Sequence, residues 1–150
     1  MRTIKYINQV SLVFPSRSAN EGFARSAAAS FAAQLDPTLD ELGDVKTAVS
    51  EAVTNAIVHA YPDALGKVEL KLRLYPENEF EVVVRDWGVG IENIDQARAP
   101  LLTTASVERA GMGFTIMKSF MDTVKVRSRP GKGTTVTMRK RFALRVGAKG

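Results

Sequence analysis

The chain contains no cysteine. That removes disulfide staples, thiol nucleophiles and cysteine-ligated metal centres, and it agrees with a reducing cytoplasm. One histidine in 150 residues is too few for a histidine-built metal site. No apolar run approaches the roughly 18 residues of a membrane span. Met1-Arg2-Thr3-Ile4-Lys5-Tyr6 leads into polar residues rather than a signal peptide. The expectation is a soluble cytoplasmic protein with no membrane contact. A strand–glycine loop–helix carrying a Walker lysine is also missing, which argues against a P-loop enzyme.

What is present is ordinary for a globular protein: 45% hydrophobic and 25% charged residues. The length suits one domain, residues 1–150, able to bury roughly 70% of its unfolded surface without staples. The net charge of +5 raises nucleic acid as a partner. However, Arg139, Lys140, Arg141, Arg145 and Lys149 crowd the C-terminus, where a solvated basic tail from about residue 142 is the plainer reading. No aromatic residues interleave the basic ones as a stacking platform requires. Direct nucleic-acid binding is not expected.

Val10, Leu12 and Phe14 alternate with Ser11 and Val13, predicting a first strand that Pro15 ends. Ser18-Ala19-Asn20-Glu21 reads as a capping box opening an alanine-rich helix to about Leu35, with Phe23, Ala27 and Phe31 buried. After Asp36-Pro37, Thr38 and Glu41 form a second capping box. The helix it opens runs to about Ala60 with an apolar stripe at Leu42, Val45, Val49, Ala52, Val53, Ala56 and Ala60. Glu51 and Asn55 lie one turn apart beside that stripe, two polar groups at the edge of a core.

Val68, Leu70, Leu72 and Leu74 alternate with charged residues, and a polar turn at Pro76–Glu79 leads to a partner strand, Phe80–Arg85. Asp86-Trp87-Gly88-Val89-Gly90 follows directly. Residues from about 92 to 110 show no strong period and read as a short helix and a loop. Gly111-Met112-Gly113 then precedes an apolar helical run, and a final hairpin turns at Pro130-Gly131-Lys132-Gly133. Hairpins mixed with helices predict an α+β, two-layer sandwich: a mixed, mostly antiparallel sheet with helices on one face.

Each glycine pair has an ordinary structural explanation when taken alone. Gly-Met-Gly at a helix start would offer free N–H groups and a positive dipole end to phosphates. Together with Glu51 and Asn55 the set carries more. Glu51-Ala52-Val53-Thr54-Asn55-Ala56 resembles the N-box of the Hsp90/histidine-kinase/MutL (GHKL) ATPase superfamily. Asp86-Trp87-Gly88-Val89-Gly90 resembles its DxGxG box, Gly111-Met112-Gly113-Phe114 its second glycine box, and Gly133-Thr134-Thr135 its Gly-Thr motif. Ser50–Ile57 and Gly111–Met117 are most similar to the anti-sigma F factors of endospore-forming bacteria, over about residues 8–141. The basic net charge, the basic tail and a lid without lysine between Thr104 and Glu108 depart from that pattern.

The resemblance implies the GHKL (Bergerat) fold, ATP and Mg²⁺ as cofactors, and anti-sigma factor and serine kinase activity. The implied partners are a sigma factor and an anti-anti-sigma protein that is phosphorylated on serine, with the chain itself a homodimer. It casts Glu51 as catalytic base, Asn55 as Mg²⁺ ligand and Asp86 as acceptor for the adenine amino group. Gly88 and Gly90 make room for the base, Gly111 and Gly113 meet phosphate, and Thr134 reaches adenine through water. Arg109 resembles the lid arginine at the γ-phosphate, and Arg25 the arginine that touches protein partners. Thr103 and Thr104 could bond phosphate or cap a helix. His59 continues the Glu51–Asn55 row and is read as a hydrogen-bonding residue rather than a metal ligand. The alternatives are a general stress-response anti-sigma kinase, a non-catalytic sigma-binding module and the ATP-binding domain of a histidine kinase.

Overall fold

A computed structural model describes residues 5–91 and 105–144, with the side chains of 105–110 left out. β1 (Asn8–Pro15) leads to α1 (Ala19–Ala32), a short 3-10 turn (Ala33–Leu35) and α2 (Leu39–Val58). β2 (Lys67–Tyr75) and β3 (Glu79–Asp86) follow, then α3 (Ala105–Phe120), β4 (Thr123–Arg129) and β5 (Gly133–Arg141). The strands form one five-stranded sheet in the order β1-β2-β3-β5-β4. Every neighbouring pair is antiparallel. The α+β two-layer reading therefore holds, with an antiparallel sheet in place of a mixed one.

The period-two pattern of β2 and β3 explains the layering. Val68, Leu70, Leu72, Leu74, Phe80, Val82 and Val84 are buried under the helices. Register places each opposite a like residue, as in Leu70↔Val84 and Leu72↔Val82. Between β2 and β3, Glu77 and Asn78 take positive φ values of 66° and 61°, the twist a tight hairpin turn needs. From β5, Val136 and Met138 complete the floor, while Phe114 and Met117 of α3 and the stripe of α2 press on it from above.

α2 starts where the capping box predicts. Thr38 Oγ1 accepts the Glu41 N–H at 3.1 Å and Glu41 Oε1 accepts the Thr38 N–H at 2.9 Å. The other Glu41 oxygen accepts the Ala143 N–H at 2.9 Å. This bond ties the chain beyond β5 to the start of α2, and Phe142 is buried there against Phe80.

α1 departs from expectation in two ways. Ser18 makes no side-chain cap and is already helical, at φ −59° and ψ −29°, whereas a cap residue needs an extended backbone. The chain instead turns tightly after Pro15, whose carbonyl accepts from Asn20 Nδ2 at 3.0 Å. The buried side is also rotated: Ala24, Ala28, Ala29 and Ala32 face inward. Phe23 is 58% exposed and Phe31 only edges the core. Small side chains let α1 lie close on α2, and a phenylalanine at that seam would hold the helices apart.

α3 also differs. It begins at Ala105, so 105–110 is helix rather than loop, and Gly111 and Gly113 lie inside it rather than ahead of it.

The basic residues are placed differently from the tail reading. Arg139, Lys140 and Arg141 belong to β5. Lys140 Nζ bonds the Phe120 carbonyl at 2.9 Å and pairs with Asp44 at 3.4 Å. The open face of the sheet carries Lys67, Lys71 and Arg85, with Lys125, Arg127 and Arg129 on β4. Also on that face, Glu81 is buried beneath Arg139 Nε at 2.9 Å, the Tyr75 hydroxyl at 3.3 Å and Arg73 at 3.4 Å.

Candidate functional site

Asn55, Asp86, Gly90 and Thr134 come from three separate stretches of chain and line one cavity. Ala52, Asn55 and Ala56 of α2, with His59 at the helix end, form its roof, and Val84, Asp86, Thr134 and Val136 of the sheet form its floor. Phe114 of α3 closes one side. The enclosed space is about 40 Å³, enough for two or three waters. Ligand sites measure roughly 300–1,000 Å³, so binding a purine requires the walls to open.

Asp86 ends β3 with its carboxylate buried. Oδ1 accepts the Gly88 N–H at 2.9 Å and the Thr134 N–H at 3.2 Å. Burial raises its pKa above the ordinary aspartate value, against the opposing pull of those two bonds. Both bonds land on Oδ1, which leaves the second oxygen for a ligand N–H. A buried carboxylate in a largely apolar cavity suits a donor such as an exocyclic amine.

The loop after Asp86 is held on three sides. The Val89 N–H bonds the Ala60 carbonyl at 2.9 Å, which ties it to the end of α2. The Tyr61 hydroxyl accepts the Trp87 N–H at 2.7 Å and donates to the Lys67 carbonyl at 2.6 Å. Ser128 Oγ accepts the Ile91 N–H at 2.7 Å, donates to the Gly133 carbonyl at 3.1 Å, and lies 2.7 Å from Thr134 Oγ1. Gly90 is required by its backbone: φ is +77°, and a β-carbon there would collide with the Arg129 carbonyl oxygen. Gly88 meets the Ala60 carbonyl in the same manner. The two glycines thus shape the loop first; Gly90 also lines the cavity.

Glu51 and Asn55 stand one turn apart on α2, half-buried. Asn55 Nδ2 is buried and has no hydrogen-bond partner among the described residues. Such a group is costly unless a ligand satisfies it. Burial, and next the nearby Glu21 carboxylate, raise the pKa of Glu51 above the ordinary glutamate value. Gly113 of α3 passes directly over the pair. A β-carbon on it would sit 3.2 Å from Glu51 Oε1 and 3.2 Å from Asn55 Nδ2. The glycine therefore meets the two polar groups by close helix packing, not through a free helix N-terminus. Glu51 itself faces a second, polar depression between α1 and α2, shared with Arg25.

The structure thus brings Glu51, Asn55, Asp86, Gly88, Gly90, Gly113 and Thr134 to one region, with His59 in the cavity lining. Gly111 is buried within α3. Thr103 and Thr104 lie outside the described residues, as does the side chain of Arg109, whose backbone is in α3. Sequence reasoning missed Tyr61 and Ser128. Their only signal was position, Tyr61 just past the helix end and Ser128 opposite the Gly-Thr motif.

Comparison with known proteins identifies the family. Residues 14–140 match the histidine kinase-like ATPase domain. The chain is 53% identical to the anti-sigma F factor of Clostridium acetobutylicum, covering 91% of this chain and 96% of that one. It is 51% identical to the anti-sigma F factor of Caldanaerobacter subterraneus over the same shares. A crystal structure of the RsbU and RsbW domains of a Mycobacterium tuberculosis protein superposes with a TM-score of 0.65 at 16% identity. That match covers 90% of this chain and 32% of the longer one. The histidine kinase domain of an Erythrobacter litoralis blue-light activated kinase gives a TM-score of 0.57 at 22% identity, covering 81% and 61%. At those identities the structures speak for the fold alone. The chain belongs to the histidine kinase-like ATPase family and, within it, to the anti-sigma F factors.

Proposed function

We propose that this protein is a cytoplasmic anti-sigma factor and an ATP-dependent protein serine kinase. As a homodimer it sequesters a sporulation sigma factor and phosphorylates that factor's anti-anti-sigma antagonist on serine. One observation carries the reading: Glu51 and Asn55, whose buried amide nitrogen has no partner among the described residues, stand one turn apart beside a cavity floored by the Asp86 carboxylate. The first pair suits a phosphate end and the second a base end of one nucleotide.

The residues fit the expected ligands. Asp86 accepts from the adenine amino group, and Thr134, tied to Ser128, supports the same edge. Asn55 offers a neutral amide oxygen, a hard donor suited to Mg²⁺. Among the described residues no cluster of three or more acidic or histidine side chains could hold a metal unaided. A cation here therefore rests chiefly on phosphate oxygens and water, as Mg²⁺ does. When bound, it neutralises the charge of the triphosphate. Arg109 supplies a guanidinium to the γ-phosphate, with Thr103 and Thr104 and the α3 glycines nearby in sequence. Glu51 takes the proton of the attacking serine hydroxyl, and its raised pKa strengthens it as a base. Arg25, on the neighbouring helix, contacts the protein partners.

The test is incubation with γ-labelled ATP, Mg²⁺ and the anti-anti-sigma protein of the same organism. Label is expected on a serine of that protein and lost with Glu51→Gln. Stoichiometric sigma-factor binding without any transfer would instead leave a pure binding module.

A further inference from the structure

Ser128 ends the inward-facing row of β4, after Val124 and Val126, where the alternation calls for another apolar residue. Its hydroxyl instead meets polar groups from two other stretches of chain. It accepts the Ile91 N–H at 2.7 Å and lies 3.1 Å from the Gly133 carbonyl oxygen and 2.7 Å from Thr134 Oγ1. Ile91 and Thr134 line the nucleotide cavity, and Ser128 stands behind them. A hydroxyl has one proton and two lone pairs. The Ile91 N–H takes one lone pair. All the contacts are therefore made at once only when Ser128 donates to the Gly133 carbonyl and Thr134 donates to Ser128. Thr134 Oγ1 has then spent its proton and keeps only lone pairs for the cavity. Asp86 presents the same chemistry beside it, since the Thr134 N–H and the Gly88 N–H are both on Oδ1 and the second oxygen is left over.

We propose that Ser128 is a positioning residue for base recognition: it fixes the Thr134 hydroxyl as an acceptor beside Asp86, so that this end of the cavity selects a base carrying an exocyclic amine. The proposal rests on the adenine-nucleotide reading above and deepens it. An exocyclic amine brings two N–H groups. Asp86 takes one, and Thr134 takes the other, directly or across a water. A base with a carbonyl at that place meets lone pairs from both residues. Without the Ser128 hydroxyl, Thr134 is free to rotate and turn its proton into the cavity, and the preference for a donor is lost. The glycine loop keeps its other anchors. The Val89 N–H still bonds the Ala60 carbonyl at 2.9 Å, and the Gly131 N–H still bonds the Val89 carbonyl at 2.7 Å. The loss therefore falls on recognition more than on the fold of the loop.

The experiment is calorimetric titration with ATP and with purine riboside triphosphate, which lacks the amine, both in Mg²⁺. The proteins are the unaltered chain, Ser128→Ala, Ser128→Thr, Thr134→Val and the Ser128→Ala/Thr134→Val double variant. Ser128→Ala is expected to weaken ATP roughly tenfold and the amine-free nucleotide less than about twofold. Ser128→Thr keeps the hydroxyl and restores ATP binding. Because Ser128 acts through Thr134, the double variant should bind ATP within about twofold of Thr134→Val alone. Equal weakening of both nucleotides by Ser128→Ala would make Ser128 a structural residue and overturn the proposal. So would unchanged ATP affinity in folded Ser128→Ala, or losses that simply add in the double variant. Each of those results leaves the adenine-nucleotide reading standing. If the unaltered chain binds neither nucleotide, that reading fails first and this proposal falls with it.

Discussion

Replacing Gly113 with alanine separates what the glycine does for the helix from what it does for the site. The residue lies within α3 and its φ is not in the left-handed region, so alanine fits the backbone. Helix propensity alone favours the change by about 0.8–1.0 kcal/mol. The new β-carbon, however, lies 3.2 Å from Glu51 Oε1, 3.2 Å from Asn55 Nδ2 and 3.4 Å from Asn55 Oδ1. Comfortable carbon contacts begin at about 3.5 Å. Both side chains must therefore retreat by a few tenths of an ångström. That strain offsets most of the helical gain, so the unfolding free energy should change by less than about 1 kcal/mol. Catalysis is less tolerant, since a displacement of about 1 Å can cost a hundredfold. A shift of this smaller size should lower transfer roughly tenfold. Thermal melts and single-turnover transfer at saturating MgATP measure both quantities. Gly43→Ala, with nothing within 4 Å of the added carbon, calibrates the helical gain in the melts. Transfer within twofold of the unaltered chain would refute the argument and reduce Gly113 to a packing residue.

Three further outcomes follow from other residues. Asp86→Asn keeps an oxygen for the Gly88 and Thr134 N–H groups but removes a buried charge, so ATP affinity should fall at least about tenfold. The midpoint of thermal unfolding at neutral pH should hold or rise. Burial raises the folded pKa of Asp86, so its ionised form opposes folding above that value and the penalty is relieved as pH falls. Transfer should fail on acidification through a pKa above the ordinary glutamate value, because Glu51 must be ionised to act and its pKa is raised. Removing the Glu21 charge with Glu21→Gln should move that acid limb to lower pH, as a pH–rate profile would show. Thr38→Ala removes one half of the α2 capping box and should cost about 1 kcal/mol, read as a loss of a few degrees in the melting midpoint.

The meeting of Asn55, Asp86, Gly90 and Thr134 at one cavity was legible because their motifs place uncommon residues at fixed spacings. A carboxylate at a strand end followed by two glycines, and a Glu–Asn pair one turn apart beside an apolar stripe, are patterns that packing alone seldom produces. α2 was legible for a related reason: its capping box and its stripe agree on the same boundaries. α1 was not, because alanine and phenylalanine both count as apolar in a periodic reading. Only the partner helix shows that the seam admits alanine and turns Phe23 outward. Gly111 and Gly113 were read as a helix start because glycine disfavours helix interiors. Tertiary contact reverses that preference, since Gly113 is what lets α3 lie against Glu51 and Asn55. Tyr61 and Ser128 carry ordinary hydroxyls, and their bonds to Trp87, Ile91 and Gly133 join parts of the chain far apart in sequence.

The central claim is that Asp86 and Asn55 belong to one site for a magnesium-bound adenine nucleotide. Calorimetric titration of ATP into the purified protein, with Mg²⁺ and again with the metal chelated, tests it most directly. Saturable binding of ATP that weakens markedly on chelation, with GTP far weaker than ATP, is the predicted result. Heat indistinguishable from dilution in both titrations would contradict the account.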